Sequence, residues 1–267
     1  MALPPVRPGA TCLITGASSG IGADVARELA ERDRGVTLVA RREERLHELA
    51  EELTSEHGVR AETIGCDVTD AEGRERLRDE LNDLGLDVEV LVNNAGFGSG
   101  GAFVDLDGAK EAAMVRTNAE ALVALTSDYL PGMVERGRGA ILNLGSLIAF
   151  QPVPYQATYG ATKAFVLSFT EAIHEELRGT GVTITALCPG PVRTEFGEAG
   201  GFGGADERIP SWMWLSPDEV ARAGVDGLEK GRRVVVPGAL NQAGALSGQH
   251  FPRGALLPLL RRLWPVG

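Results

Sequence analysis

Tyr159 and Lys163 stand four residues apart in the stretch ATYGATKAF. If this stretch is helical, that spacing places both side chains on one face, one turn apart. An ammonium close to a phenol favours the phenolate, and we expect it to lower the phenol pKa from about 10 towards neutrality. A phenol with such a pKa donates or accepts a proton at physiological pH. The pair is therefore a candidate for acid–base catalysis.

Chance is a weak explanation of this pair. The chain holds only three tyrosines and three lysines among its 267 residues. Random placement would give on the order of 0.03 Tyr–Lys pairs at this spacing. An accidental pair on a solvated helix face is thus rare, and the rest of the chain has to decide between the two interpretations.

A glycine-rich segment, TGASSGIG at residues 15–22, separates the first apolar run from the first helical pattern. Small residues at such a turn let a dinucleotide pyrophosphate approach the backbone and the helix N-terminus. The glycine spacing is GxxxGxG rather than the common GxGxxG, so its position after a strand carries more weight than the pattern itself. The residues expected to bind the cofactor here are Gly16, Ser18, Ser19, Gly20, Ile21 and Gly22.

Two arginines, Arg41 and Arg42, follow the second apolar run. An NAD-binding protein commonly has a carboxylate at this point, which holds the ribose 2′-hydroxyl. A guanidinium suits a 2′-phosphate instead. The sequence therefore favours NADP(H) over NAD(H), against the alternative that both arginines only cap a strand in solvent.

Two further strand ends carry small or polar residues. Asp67 and Val68 follow the third apolar run, and Asn94, Ala95 and Gly96 follow the fourth. Ligands of open α/β sheets bind at the carboxyl edge of the strands, where small residues leave room for adenine and ribose. Ordinary turn chemistry explains each segment equally well when it is taken alone.

Short apolar runs alternate with longer amphipathic segments along the chain, which is typical of a parallel sheet covered by helices on both faces. We predict a single α/β domain over residues 1–267. The predicted strands are 11–15, 36–40, a third ending at Cys66 and Asp67, 88–93, 140–144, 183–188 and 233–236. The predicted helices are 23–32, 43–56, 71–84, 108–135, one that carries Tyr159 and Lys163 to residue 178, and 217–229.

Composition argues against several functional classes. The net charge is −11 and no run of lysine or arginine is present, so a nucleic-acid partner is not expected. No apolar stretch approaches the roughly 18 to 20 residues that span a bilayer, and the start of the chain does not resemble a signal peptide. Three dispersed cysteines and four dispersed histidines predict buried thiols, no metal site and a cytoplasmic location.

Two segments lack the alternating pattern. Residues 191–215 are rich in glycine and large apolar side chains, which favours a substrate lid. Residues 237–267 form a C-terminal extension with leucines and Trp264 around Arg261 and Arg262. We favour a segment that packs on its own domain or on a partner subunit. A peripheral membrane helix is the alternative, weakened by Pro258.

Taken together, these motifs resemble the short-chain dehydrogenase/reductase family. The resemblance covers about residues 10–237 and rests on TGASSGIG, Asp67-Val68, NNAG at 93–96, Asn118, Ser146, Tyr159 with Lys163, and Pro189-Gly190, in the family's order and spacing. It implies a Rossmann-type, doubly wound sheet of seven parallel strands in a three-layer αβα sandwich. It also implies oxidoreduction of alcohols and carbonyls, and Arg41 resembles the NADP(H)-preferring branch.

The resemblance assigns roles residue by residue. Tyr159 would be the general acid in carbonyl reduction and the base in alcohol oxidation, while Lys163 would lower its pKa and hold the nicotinamide ribose. Ser146 would hydrogen-bond the substrate oxygen. Asn118 resembles the asparagine whose backbone supports a water relay to the lysine. The backbone expected to hold the nicotinamide comprises Pro189, Gly190, Val192 and Thr194.

Aromatic and apolar side chains near the predicted pocket and lid favour an uncharged, fairly bulky carbonyl or alcohol substrate. The residues expected to line its site are Phe97, Ser146, Phe150, Tyr155, Tyr159 and Phe196. Further apolar residues near the pocket edges and lid are Phe103, Val153, Phe202, Trp212 and Trp214.

Three functions fit these observations. The leading one is an NADP(H)-dependent ketone reductase or alcohol dehydrogenase. A cofactor-sensing regulatory or scaffold protein is a second, because a dinucleotide fold does not by itself imply catalysis. A third keeps the enzyme but changes the reaction, to an epimerase or a dehydratase-like activity. The resemblance further implies a homodimer or homotetramer.

Overall fold

The computed structural model describes residues 3–199 and 209–263. Seven parallel strands form one sheet in the order β3-β2-β1-β4-β5-β6-β7, which confirms the predicted fold class. The strands are β1 (Ala10–Thr15), β2 (Val36–Ala40), β3 (Ala61–Gly65), β4 (Asp87–Asn93), β5 (Gly139–Leu144), β6 (Val182–Leu187) and β7 (Val234–Val235).

Helices connect these strands and cover both faces of the sheet. They are α1 (Gly20–Ala30), α2 (Glu43–His57), α3 (Ala71–Asp83), α4 (Gly108–Val115), α5 (Ala121–Glu135), α6 (Ala157–Glu176), α7 (Phe196–Ala199), α8 (Pro217–Glu229), α9 (Ala239–His250) and α10 (Arg253–Leu263). Short 3-10 turns occur at Phe103–Asp105, Leu147–Phe150 and Ser211–Met213.

Consecutive residues of β1 pack into opposite core layers. Ile14 belongs to the layer beneath α1, α2 and α8, which also contains Leu29 and Leu46. Leu13 belongs to the layer beneath α3 and α5, together with Leu77 and Leu125. This two-residue alternation follows from the pleat of a strand, and burial on both faces explains why the strands read as continuous apolar runs.

The chain reverses its winding direction beside β1, which pairs with β2 on one side and with β4 on the other. In an open parallel sheet, the loops that leave the carboxyl ends of two such strands diverge and leave a crevice between them. The turns after β1 and β4 are the glycine-rich segment and the segment that begins at Asn94. The topology thus brings two of the predicted cofactor segments together.

Several elements differ from their predicted bounds, and three of the differences have a structural reason. Helix α1 begins at Gly20 rather than at residue 23, because apolar periodicity starts only after the glycines. The predicted helix 108–135 contains a π-turn at Arg116–Glu120 that divides it into α4 and α5. Strand β7 has only two residues, since it pairs along one edge at Ala186 and Leu187.

The C-terminal extension forms helices α9 and α10. Helix α9 packs on the 3-10 turn that follows Ser146, where Gly244 approaches Leu147 and Gly248 approaches Gln151. Leu256 of α10 is buried. Within the described ranges, no helix is both long enough and apolar enough to cross a membrane.

Candidate active site

Helix α6 carries Tyr159 and Lys163 on one face, as the four-residue spacing predicts. The Lys163 Nζ atom lies 5.8 Å from the centroid of the Tyr159 ring. The same ammonium donates a hydrogen bond to the Leu144 carbonyl oxygen at 2.7 Å. Because Leu144 is the last residue of β5, this bond fixes the lysine against the carboxyl edge of the sheet.

Ser146 follows β5 by two residues and meets the same helix. Its backbone is extended, and its hydroxyl accepts a long hydrogen bond of 3.4 Å from the Ile148 amide at the start of a 3-10 turn. The Ser146 side chain is also close enough to the Tyr159 phenol to influence its ionisation. The end of β5 and helix α6 thereby bring Ser146 to the Tyr159–Lys163 pair.

Burial controls the ionisation of this group. It raises the pKa of the Tyr159 phenol to about 12, and the nearby Ser146 side chain opposes that shift. Burial lowers the pKa of Lys163 to about 8. The pKa of Tyr159 thus moves in the opposite direction from the one that the sequence predicted, because burial disfavours the charged phenolate and is the largest contribution to the shift.

Asn118 lies in the π-turn and is buried. Its Oδ1 accepts a hydrogen bond from the Phe97 amide at 3.1 Å, and its Nδ2 donates to the Phe97 carbonyl at 2.9 Å and to Thr162 Oγ1 at 3.2 Å. π-turns are frequent at functional sites. Here the side chain ties the loop after β4 to α6.

The glycine-rich segment has the geometry of a phosphate-binding turn. Gly16 and Gly20 have φ angles of 67° and 57°, which a side chain would strain. The Asn94 Nδ2 atom donates to the carbonyls of Thr15 and Gly16, at 2.9 and 3.1 Å. A Cβ atom on Gly22 would collide with that amide and with the Gly16 carbonyl. The turn is therefore held close to the segment after β4.

The two arginines after β2 differ in their contacts. The Arg42 guanidinium donates from Nε and Nη2 to Ser18 Oγ, at 3.1 and 3.0 Å, so it reaches the glycine-rich turn. The Arg41 side chain is 79% exposed and lies 4.0 Å from Asp67. Partial burial raises the pKa of Asp67, but the two hydrogen bonds from Thr69 have the larger combined effect and hold this pKa below its usual range.

A continuous cleft of about 1410 Å³ runs along the carboxyl edge of the sheet. It joins the glycine-rich turn at one end to Tyr159 and the segment after β6 at the other. Within the described part of the chain, no group of three or more potential metal ligands occurs. The predicted site residues on its wall are Gly16, Ser18, Ser19, Gly20, Ile21, Arg41, Arg42, Asp67, Val68, Asn94, Ala95, Gly96, Phe97, Ser146, Tyr159, Lys163, Pro189, Gly190, Val192, Thr194 and Phe196.

A family model described as short chain dehydrogenase matches residues 10–200. The chain belongs to the short-chain dehydrogenase family. The match runs from β1 to α7 and includes all the predicted site residues on the cleft wall. It confirms the resemblance that the motifs predicted.

Two solved structures and one curated relative illustrate the range of the short-chain dehydrogenase family. A sulfoacetaldehyde reductase of Chromohalobacter salexigens is 44% identical over 186 residues, which are 69% of this chain and 73% of that protein. A short-chain dehydrogenase from Sphingobium yanoikuyae in complex with NADPH is 35% identical, covers 92% of this chain and 94% of its own, and has a TM-score of 0.79. A bulky-bulky ketone specific alcohol dehydrogenase from Comamonas testosteroni is 30% identical, covers 91% and 95%, and has a TM-score of 0.74.

Four predicted short-chain dehydrogenase site residues do not line the cleft. Gly22 and Asn118 lie behind its wall, where they hold the glycine-rich turn and the loop after β4. Phe150 packs on a small apolar cluster that includes Leu167. Tyr155 occupies a left-handed turn with φ of 67°, and its carbonyl accepts a hydrogen bond from Gly101. Both aromatic residues are thus structural neighbours of the site, whereas Gln151, Val153 and Gln156 of the same segment line the cleft.

The further apolar residues predicted near the pocket edges and the lid fall into two groups. Val153, Met213 and Trp214 line the cleft, whereas Phe103 and Trp212 are exposed and lie off it. Phe202 lies outside the described residues. The ends of the segment are joined, since Leu215 donates to the Pro191 carbonyl at 3.0 Å and Arg193 donates to the Leu215 carbonyl at 3.2 Å.

Sequence reasoning missed several residues of the cleft wall, among them Leu260 and Glu195. Leu260 of α10 lines the cleft although the C-terminal extension carries no motif. Glu195 follows Thr194 and forms ion pairs with Arg42 and Arg45 across the glycine-rich end. The charges of Arg45 and Glu195 were visible in the sequence, but their 150-residue separation gave no reason to pair them.

Proposed function

We propose that the protein reduces the carbonyl group of an uncharged, hydrophobic ketone to a secondary alcohol with NADPH, and catalyses the reverse oxidation with NADP+. The observation that carries this proposal is the placement of Ser146, Tyr159 and Lys163 together on the wall of the cleft that also contains the glycine-rich turn. The proton donor Tyr159, the hydrogen-bond donor Ser146 and the glycine-rich turn expected to bind the cofactor thus line the same cleft.

The chain is an oxidoreductase of its family, and its cofactor is NADP(H), as predicted. The observed residues fit this dinucleotide. The strained φ angles of Gly16 and Gly20 open the backbone at the N-terminus of α1, where a pyrophosphate binds. Arg41 and Arg42 supply the positive charge that a ribose 2′-phosphate requires. The related structure with NADPH has the same fold over nearly all of this chain.

The chain's own residues supply position and a proton. When bound, the cofactor supplies the hydride that the carbonyl carbon accepts. Tyr159 donates its phenolic proton to the carbonyl oxygen, and Ser146 donates a hydrogen bond to the same oxygen. Lys163, 5.8 Å from the phenol ring, stabilises the phenolate that forms. Water then returns the proton to Tyr159.

The ionisation state of Tyr159 suits a proton donor. With a pKa raised to about 12 by burial, the phenol is protonated at physiological pH. The protonated phenol is the form that reduction consumes, whereas oxidation requires the phenolate. Tyr159 is therefore in the form that donates the proton which ketone reduction needs.

The apolar end of the cleft supports a hydrophobic substrate. The Phe196 ring lies 5.5 Å from the Tyr159 ring, so the reacting oxygen would sit beside an aromatic wall. Trp214, Met213 and Leu260 continue that wall. The guanidinium of Arg193 stacks on the Trp214 ring at 5.6 Å, so its charge is engaged at the edge of this region. Since its relatives act on different carbonyl compounds, the cleft itself has to indicate the substrate class.

We also propose a homodimer or homotetramer, a single domain and a cytoplasmic location. Phe165 on the outer side of α6 is 44% exposed and stacks on Phe169 at 5.9 Å, which supports a subunit interface there. Cys12, Cys66 and Cys188 are free, buried thiols, in keeping with a reducing compartment.

A panel of ketones that differ in size and charge tests the proposal, with NADPH absorbance as the readout. Tyr159→Phe should lower kcat on the best ketone by about 10²- to 10⁴-fold while NADPH binding persists. Tyr155→Phe is the matched control and should retain wild-type activity, because Tyr155 lies off the cleft. Undiminished turnover by Tyr159→Phe would refute the mechanism. NADPH binding without turnover of any ketone would favour a sensor.

A further inference from the structure

The Glu195 carboxylate bridges two guanidinium groups at the glycine-rich end of the cleft. Its Oε2 accepts a hydrogen bond from Arg42 Nη1 at 3.2 Å. Arg45 Nη1 donates to both carboxylate oxygens, at 2.8 and 3.0 Å. All three side chains are about half exposed, so water and ions reach them.

The same Arg42 guanidinium also faces the phosphate-binding turn. Its Nη2 donates to the hydroxyls of Ser18 and Ser19, at 3.0 and 2.7 Å. The edge of Arg42 that is not used by the turn is the one that Glu195 occupies. A ribose 2′-phosphate held at the end of β2 would need that positive charge.

Glu195 stands in a segment that lines the rest of the cofactor path. Its neighbour Thr194 packs on the glycine-rich turn, close enough that a Cβ atom on Gly20 would lie 3.2 Å from the Thr194 methyl group. Its other neighbour, Phe196, contacts the Tyr159 ring. The segment that follows β6 thus places the charge of Glu195 near the end of β2.

We propose that Glu195 competes with the 2′-phosphate of NADP(H) for Arg42 and so limits how strongly the protein prefers NADP(H) to NAD(H). This inference rests on the proposed function, since it assumes that NADP(H) binds in the cleft. Glu195 is then a specificity-determining residue, and Arg45 is the group that retains the carboxylate when the phosphate takes Arg42.

The charge of Glu195 persists under ordinary conditions. The hydrogen bonds from Arg45 and Arg42 hold the pKa of this carboxyl below its usual range, so it is ionised at physiological pH. A phosphate dianion forms stronger charge-assisted hydrogen bonds with a guanidinium than a carboxylate does, which allows displacement. NAD(H) carries a hydroxyl at the same position and has no charge with which to compete.

Direct binding measurements on the full chain test this inference. NADPH and NADH are titrated separately into wild type and Glu195→Gln, with cofactor fluorescence as the readout. We expect the variant to bind NADPH about 3- to 5-fold more tightly, because an exposed ion pair contributes only a small free energy. Its affinity for NADH should stay within about 1.5-fold of wild type. Glu44→Gln is the matched control. It removes one exposed negative charge from the end of α2 that carries Arg45, and it should leave both affinities unchanged.

Each other outcome has a definite meaning. Equal changes in the affinities for NADPH and NADH would overturn the inference, since Glu195 would then affect dinucleotide binding regardless of the 2′-phosphate. Unchanged or weaker NADPH binding by Glu195→Gln would overturn it as well. If wild type bound neither cofactor, the proposed function would fail first, whereas wild-type NADPH binding without the selective gain refutes the role of Glu195 alone.

Discussion

The side chain of Asn118 satisfies both backbone groups of Phe97, with hydrogen bonds of 3.1 Å from the amide and 2.9 Å to the carbonyl. It also donates to Thr162 Oγ1, which in turn donates to the Tyr159 carbonyl at 2.8 Å. One buried amide therefore links the loop after β4 to the helix that carries the catalytic pair. The role that follows is one of positioning.

Asn118→Ala should impair both stability and turnover. Loss of the amide leaves the Phe97 groups without partners, which costs about 1–3 kcal/mol of unfolding free energy. Misplacement of the loop and of α6 should lower kcat about 10- to 100-fold. Urea unfolding and ketone reduction measure the two effects. The exposed Glu120→Ala lies in the same π-turn and should change neither; a stable, fully active Asn118→Ala would contradict the assignment.

Lys163 should destabilise the fold at neutral pH. Burial lowers its pKa from the ordinary value of 10.5 to about 8, so the unfolded chain binds more protons between these values and stability rises with pH across that window. The cost below pH 8 is on the order of 3 kcal/mol. Tyr159 contributes no opposing change there, because its pKa is raised and its stabilising effect is lost only above about pH 10.

We therefore expect Lys163→Met to be inactive yet to unfold at no lower temperature than wild type at pH 7. Its stability relative to wild type should decline as the pH rises towards about 10. Thermal unfolding across this pH range measures the difference. Lys230→Met removes an exposed lysine and should show no such trend. A Lys163→Met protein that is strongly destabilised at pH 7 would show that the charge is well solvated.

Gly22→Ala should weaken cofactor binding through sterics alone. The new methyl group would collide with the Asn94 amide and the Gly16 carbonyl, which fix the glycine-rich turn. Overpacking of this kind costs about 1–3 kcal/mol, so NADPH affinity should fall by about 10-fold or more. Gly108→Ala is the control, because no atom lies near its Cβ position. Equal NADPH affinities for the two variants would rule out this packing role.

Leu260→Ala should alter substrate use without altering cofactor use. Leu260 lines the cleft from the C-terminal helix, whereas its neighbour Leu259 is 51% exposed. Truncation at 260 should lower kcat/KM for a bulky apolar ketone by about 3- to 10-fold and leave NADPH affinity unchanged. Leu259→Ala should match wild type. Identical kinetics for the two truncations would place the substrate elsewhere.

Local patterns determined the elements and most of the cofactor site. The spacing of Tyr159 and Lys163 survives into the structure because four residues nearly complete one helical turn. The glycine-rich turn and Arg41 each follow a strand directly, and parallel strands present their carboxyl ends at one edge. These features depend on short-range geometry and on the repeated βα topology, both of which are encoded in the sequence.

Only the tertiary structure decided the contacts between distant segments and their energetics. Phe150 and Tyr155 stand near Ser146 in sequence but turn away from the cleft, whereas Leu260 enters it from the end of the chain. The sign of the Tyr159 pKa shift likewise depends on how completely the fold removes water from the phenol. The pairing of Glu195 with Arg42 joins residues 153 apart, because such a contact exists only when β2 and the segment after β6 meet over the same turn.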